Sequence, residues 1–431
     1  MYSNTIDLIT LGCSKNLVDS ERVIKMFENV NYNVNHNPNK ISGKIVIINT
    51  CGFIGDAKEE SINTILEYVN AKQKNIISHI YVMGCLSERY LDDLKQEIPE
   101  VDAWYGKFDW ENIVRDITNI STSISNIERA VTTPSHYAYI KIAEGCNRFC
   151  SFCAIPLITG RYKSRPIEEI IEEVKILVTQ GVKEFNIIAQ DISYYGMDIY
   201  QSQSLPKLVE KLAQIPGVEW IRLHYAYPTQ FPLELLDVMN RYDNICKYID
   251  IALQHSSDIV LNNMHRHISC EETEKLLTKI RSKVPGIHLR TTLMVGFPGE
   301  NEEEYNLLLS FVQNQRFERM GAFAYCEEDD TYAAKNYSDD IPQEIKEERL
   351  CQLMKIQEQI SLELNEAKIG KTLKVIIDSE DENYYIGRSE FDSPEVDPEI
   401  LITKEQELII GNFYNVKITE ALPFDLIAKI V

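Results

Sequence analysis

Basic residues are scarce in this chain: 44 Lys and Arg stand against 66 Asp and Glu among 431 residues, a net charge of -22. That balance excludes a protein that holds nucleic acid mainly by neutralising phosphates. It favours a basic macromolecular partner instead. Cysteine is sparse too, ten in all, too few for a secreted disulfide scaffold. No apolar run approaches the ~18 residues of a membrane span, and the opening MYSNTIDLIT has no basic stretch leading into a long apolar one. A reducing, cytoplasmic setting follows, with the cysteines as thiols available for metal. Low-complexity segments and strict repeats are also missing. What the chain does have is core: 44% hydrophobic and 26% charged residues are globular proportions. At ~150 residues per domain, its length predicts about three domains.

Three early segments share one plan. TIDLITLGC, KIVIINTC and HIYVMGC each end a β-rich run at a cysteine: Cys13, Cys51 and Cys85. Helix-like stretches, DSERVIKMFENV and DAKEESINTILEYV, follow the first two. Strands alternating with helices predict an α/β domain built on a doubly wound parallel sheet. Ligands of such sheets sit outside the carboxyl ends of the strands. All three cysteines fall at that edge, so separations of 38 and 34 residues need not be distances in space.

From Ser135 a second series begins, with strands YAYIKIAE, EFNIIAQD, EWIRLHYAY, YIDIALQ, HLRTTLMVG and MGAFAYC. Six parallel strands with intervening helices predict a partial (βα)6 barrel whose chemistry lies at the strand C-terminal ends. PQEIKEERLCQLMKIQEQISLELNEAKIG reads as a helical connector leaving that barrel. TLKVIID, YYIGRSE, EILIT, FYNVKIT and DLIAKIV then predict a small antiparallel β-barrel. Ile369 to Val431 holds 6 Lys and Arg against 13 Asp and Glu.

Directly after the first strand of the central series stands Cys146-x-x-x-Cys150-x-x-Cys153, in KIAEGCNRFCSFCAIP. A 4Fe-4S cluster normally takes four cysteines; with three, one iron stays open to a small chelating ligand. A zinc site would want a fourth N or S ligand, and no His lies in this loop. A redox pair of Cys150 and Cys153 would leave Cys146 unexplained. Cys246, Cys270, Cys326 and Cys351 lack such spacing and read as core or surface thiols. His255, His265 and His267 invite a metal reading, but they straddle a helix-like run, LQHSSDIVLNNMHRH. The 23 tyrosines are packing and rim residues, since a base-stacking platform would be interleaved with Lys and Arg.

The three-cysteine loop on a partial barrel resembles the radical S-adenosylmethionine (SAM) enzymes. The whole chain resembles the methylthiotransferase family among them. LGCSKNLVDSE, INTCGFIGDAKEESI, MGCLSERY and GRSEFDSPEVDP are most like the branch that modifies an aspartate of the twelfth small-subunit ribosomal protein. Ser14, where that branch commonly has Pro, and CEEDDTYAAK, where a Glu-Gly-Thr-Pro pattern is usual, depart from it.

The resemblance implies domains at 1–120 (auxiliary cluster), 132–365 (radical SAM barrel) and 366–431 (TRAM domain). It implies SAM and two 4Fe-4S clusters, one on Cys13, Cys51 and Cys85, the other on Cys146, Cys150 and Cys153. No catalytic side chain is implied beyond these ligands. It points to Gln190 and Asp191 in AQDISYYG for the methionine end of SAM. Gly296 to Glu300 in VGFPGE would contact adenine, and Arg161 and Arg165 would neutralise cluster or carboxylate charge. Gln254 and Arg266 match family positions better than the histidines do. One SAM would methylate a sulfur held at the auxiliary cluster, and a second would be cleaved to a radical that takes hydrogen from Cβ of the aspartate. The implied partners are a basic ribosomal protein, an external electron donor and a sulfur source, with RNA contact secondary. Two other functions fit parts of this pattern: methylthiolation of an adenosine in tRNA, and noncatalytic Fe–S electron transfer.

Overall fold

The computed structural model describes residues 4–123, 125 and 127–431; Met1 to Ser3 of the N-terminal stretch read above lie outside them. Its first part is β1 (Thr5–Thr10), α1 (Ser14–Asn29), β2 (Asn33–His36), β3 (Ile45–Thr50), α2 (Gly55–Gln73), β4 (His79–Gly84), α3 (Cys85–Glu97), β5 (Ala103–Trp104) and α4 (Trp110–Thr118). The strands form a parallel sheet in the order β2-β1-β3-β4-β5. Val46, Ile47 and Ile48 of β3 are all buried, because helices cover both faces of such a sheet.

The central part is β6 (Tyr137–Lys141), β7 (Ala143–Glu144), α5 (Ile155–Thr159), β8 (Lys163–Ser164), α6 (Ile167–Thr179), β9 (Glu184–Ile188), α7 (Leu205–Ala213), β10 (Trp220–Ala226), α8 (Glu234–Arg241), β11 (Ile245–Gln254), α9 (Asp258–Asn263), α10 (Cys270–Lys283), β12 (His288–Val295), α11 (Glu302–Gln315), β13 (Arg319–Ala324), α12 (Tyr332–Asn336) and α13 (Gln343–Glu366). Six parallel strands run in the order β13-β12-β11-β10-β9-β6, and the short β7–β8 pair stands apart. The sheet is open between β6 and β13, as a partial barrel requires. Instead of leaving the barrel, α13 packs along it, with Leu353 and Ile360 in the main apolar core. Its two buried apolar residues recur seven apart, a helical spacing that fits a neighbouring surface.

The β6 edge is closed by the chain itself. Ile142 N–H bonds Ile188 O, so the odd-numbered residues of β6 face away from β9. Their carbonyls are each taken by a side chain: Tyr137 O by Thr133 Oγ1, Tyr139 O by Arg129 Nη2 and Lys141 O by Arg165 Nη1. α1 lies against the same strand, with Val18 packed on Tyr137 and Tyr139.

Five last strands, β14 (Thr372–Glu380), β15 (Tyr384–Ser389), β16 (Ile400–Thr403), β17 (Phe413–Ala421) and β18 (Leu426–Ile430), close a small barrel in the order β14-β15-β16-β18-β17. It is antiparallel except for β16 and β18. The segment after β15 stoppers the N-terminal strand ends of the central barrel. Arg388 and Arg222 share the buried carboxylate of Glu184, Arg319 bonds Asp392, and Arg290 lies 3.2 Å from Asp397. Chemistry is therefore confined to the opposite end.

Lys368 lies beside this junction. Burial, with Arg319 close by, pulls its ammonium down to about 8. A depressed lysine binds fewer protons folded than unfolded, so stability rises with pH between about 8 and the ordinary 10.5. Lys368→Met should therefore raise stability by about 1–3 kcal/mol at pH 7 and flatten that rise. Thermal melting at pH 7, 8.5 and 10 would show it; a variant that melts lower at pH 7 contradicts the assignment.

Candidate functional site

Three neighbouring strands of the N-terminal sheet, β1, β3 and β4, deliver the first cysteine set. Cys13 precedes α1, Cys51 follows β3 and Cys85 opens α3. Two glycines permit the approach. A side chain on Gly12 (φ +87) would begin 2.8 Å from Cys51 Cβ, and one on Gly52 would begin 2.6 Å from the backbone of Leu86. Burial and the neighbouring Cys13 and Cys85 push the Cys51 thiol up to about 11.

Lys107, just past β5, was not anticipated. Its ammonium is buried and bonds Asp19 Oδ2 at 2.8 Å and Asn16 Oδ1 at 3.0 Å; Asn16 Oδ1 also accepts from Cys85 Sγ. Burial opposes that charge, but Asp19 and Cys85 hold Lys107 well above its ordinary value. The available signal was positional: Lys107 follows a strand end as the three cysteines do.

The second set sits in the loop that β7 and β8 close at its base. Burial pushes the Cys146 thiol up to about 12. Arg266 Nη1 donates to Cys150 Sγ at 3.2 Å, and Tyr227 lies between the guanidinium groups of Arg148 and Arg266, 4.3 and 4.1 Å from its ring centre. The two sets approach one another, for Cys85 shares a small apolar cluster with Ala154 and Ile158, just after Cys153.

Both sets have the donor chemistry of an Fe–S cluster. Each set offers three thiols, and an Fe–S cluster takes each thiolate on a different iron. Cys51, Cys85, Cys146 and Cys153 are held high by burial, so a bound cation would be needed to make them thiolate ligands.

The other anticipated residues divide. Gln190 is half-buried at the end of β9. Asp191 is buried, and its carboxylate is taken by Arg148 Nε at 2.6 Å and Ser193 N–H at 2.8 Å; it ties the cysteine loop to β9. Gly296 is buried, with N–H bonded to Glu300. Glu300 also accepts from His255 Nε2 and Arg349 Nη1, so its carboxylate is held by protein rather than turned to a ligand. Arg161 is exposed and stacks on Phe149. Arg165 bonds Glu173 and Lys141 O, which places its charge in the β6 edge and not at the cysteines. His265 and His267 stack on each other, apart from His255 and its Glu300 partner. The CEEDDTYAAK loop fastens the N-terminal domain: Glu328 bonds Lys58 and Arg89, and Asp329 accepts from Tyr90.

Comparison with known proteins agrees with this architecture. A Radical SAM superfamily model matches residues 140–312, a TRAM domain model 369–431, and an "Uncharacterized protein family UPF0004" model 5–106. Among solved structures, the radical SAM methyltransferase TsrM of Kitasatospora setae superposes with a TM-score of 0.57 at 13% identity, covering 77% of this chain and 74% of its own. That likeness is one of fold. The ribosomal protein uS12 methylthiotransferase RimO of Phocaeicola vulgatus is 60% identical, with 100% of both chains covered. The protein of that name from Cytophaga hutchinsonii is 50% identical over 99% of this chain and 98% of its own. Full-length identity at this level, joined to the three matched domains, means that the chain belongs to the RimO family of ribosomal protein uS12 methylthiotransferases.

Proposed function

We propose that the chain transfers a methylthio group to Cβ of an aspartate in uS12, with two 4Fe-4S clusters and SAM as cofactors. The observation that carries this reading is the approach of two three-cysteine sets from different domains, Cys85 beside Ala154 and Ile158. Inserting sulfur at an unactivated carbon needs both a hydrogen abstractor and a sulfur donor, and two open-iron sites within one mouth suit both tasks. Cys146, Cys150 and Cys153 would hold the cluster that binds SAM; Cys13, Cys51 and Cys85 would hold the one that carries sulfur. When bound, these groups supply a carbon radical and a transferable sulfur.

The chain's own residues set the stage. Arg266 and Tyr227 fix Cys150, Asp191 anchors Arg148 of the cysteine loop, and Lys107 sets positive charge beside Cys85. In this reading the division 1–120, 132–365 and 366–431 assigns sulfur supply, radical generation and substrate reading. An external reductant and sulfur source serve it. No helix among the described residues is long and apolar enough to cross a membrane.

Charge favours a basic protein over tRNA. Asp378, Asp392, Glu395 and Asp397 face Arg388 or barrel side chains, yet acids still outnumber bases on the rest of the C-terminal barrel. Mass spectrometry of uS12 and of tRNA nucleosides, with and without the chain, tests the choice. The expected result is a gain by uS12 equal to methylthio replacing hydrogen. Methylthioadenosine in tRNA with unchanged uS12 would reverse it.

A further inference from the structure

The two free edges of the central barrel are treated differently. On β6 the outward carbonyls are capped by Thr133, Arg129 and Arg165. Among the described residues β13 pairs with no strand but β12, and α13 packs beside it. Tyr325 N–H bonds Val295 O, so odd residues of β13 face β12 and Met320, Ala322 and Ala324 face outward. At the near end Arg319 Nη1 takes Glu318 O, and beyond the far end Lys346 Nζ takes Tyr325 O. Between them no side chain among the described residues bonds the backbone of Met320, Ala322 or Ala324. An edge left open in this way is a template for another strand.

Two cavities flank that edge. One, of about 280 Å³, is lined by Arg319, Met320 and Gly321 together with Val396 and Pro398 of the C-terminal barrel. The other, of about 570 Å³, is lined by Ala322, Phe323 and Ala324 and reaches Phe53 and Phe152. Phe53 lies two residues after Cys51, and Phe152 directly precedes Cys153, so this cavity opens on both cysteine loops. Its rim carries Asp56, Glu327 and Glu347, exposed carboxylates with no ion-pair partner among the described residues. Two buried polar atoms of lining residues, Tyr325 Oη and Glu328 Oε1, have no hydrogen-bond partner among the described residues. Apolar floor, acidic rim, unbonded strand edge and spare hydrogen-bonding atoms together suit one kind of occupant: an extended, basic polypeptide.

We propose that an extended basic segment of the protein substrate adds to the outer edge of β13, running from the C-terminal barrel toward the two cysteine loops. Main-chain bonds to Met320, Ala322 and Ala324 supply register, and Asp56, Glu327 and Glu347 select positive side chains. The inference rests on the protein-substrate reading above and gives that substrate its path. Nucleic acid is disfavoured by the same carboxylates.

The test uses the full chain with both clusters reconstituted and purified uS12 as the probe. Hydrogen exchange should slow at residues 320–324 when uS12 is added. Ala322→Pro removes an outward N–H without touching the β12 ladder. That variant and the triple variant D56K/E327K/E347K should each weaken uS12 binding at least about tenfold with unchanged melting temperature. If Ala322→Pro fails to fold, exchange and the charge variant decide. Unchanged exchange at 320–324, with uS12 still methylthiolated by the wild-type chain, overturns the strand-edge path and leaves the function standing. Failure of the wild-type chain to bind or modify uS12 removes both. Protection of the edge by tRNA instead of uS12 overturns the proposal as well.

Discussion

Alanine in place of Cys150 should abolish reductive cleavage of SAM and methylthiolation of uS12 together, whereas alanine in place of Cys51 should abolish only the second. The separation follows from the fold. Cys150 belongs to the loop closed by β7 and β8 on the central barrel, and it is fixed by Arg266 and Tyr227. Cys51 ends a strand of a different sheet, so its loss leaves every contact of the barrel loop in place. Cleavage by Cys51→Ala should stay within about threefold of wild type, while Cys150→Ala should lose more than about a thousandfold. Iron content gives a second reading, since each variant should lose about four irons per chain. Anaerobic assay of 5′-deoxyadenosine, uS12 mass and iron on the same preparations checks all three. Loss of cleavage in Cys51→Ala with iron retained at the barrel would remove the division of labour between the domains.

Both variants sit at positions legible from the sequence: Cys51 ends an apolar strand, and Cys150 stands in a Cys-x-x-x-Cys-x-x-Cys spacing. Apolar runs of five to ten residues punctuated by turn residues also announced the six barrel strands and the five of the C-terminal barrel. Partnerships between charged side chains have no such signature. Arg165 looks like a charge beside the cysteines, but Glu173 lies on its own side of the barrel and takes it. Glu300 stands at a strand end where a ligand would bind, yet His255 and Arg349, 45 and 49 residues away, claim its carboxylate. Nothing local in GRSEFDSPEVDP announces that Arg222, Arg290 and Arg319 face it. Periodicity reports which face of an element is buried. It is silent on which buried charge meets which.

Lys107 is the clearest product of such a meeting, and its removal should be felt in both stability and redox chemistry. Asp19 is shared by Lys107 and Lys141, both almost wholly buried, and Lys141 meets Glu144 as well. Lys107 is the ammonium of the two that Cys13, Cys51 and Cys85 feel. Burial raises the Cys13 thiol, but Lys15 and Lys107 more than offset it and hold Cys13 below its ordinary value. Lys107→Met keeps the length of the side chain and deletes the charge. Breaking a buried pair costs about 3–5 kcal/mol, and because Asp19 keeps Lys141, the lower end of that range is expected in thermal or denaturant unfolding. A unit charge several Å away is worth about 2–4 kcal/mol at an effective dielectric near 20, on the order of 100 mV for one electron. Without that cation the more negative, reduced state is disfavoured, so the potential of the cluster on Cys13, Cys51 and Cys85 should fall by roughly that much. Lys107→Arg, which preserves the charge, should restore most of it. An EPR-monitored titration of a variant lacking the barrel cysteines isolates that cluster. A Lys107→Met potential equal to wild type would reduce Lys107 to a structural partner of Asp19.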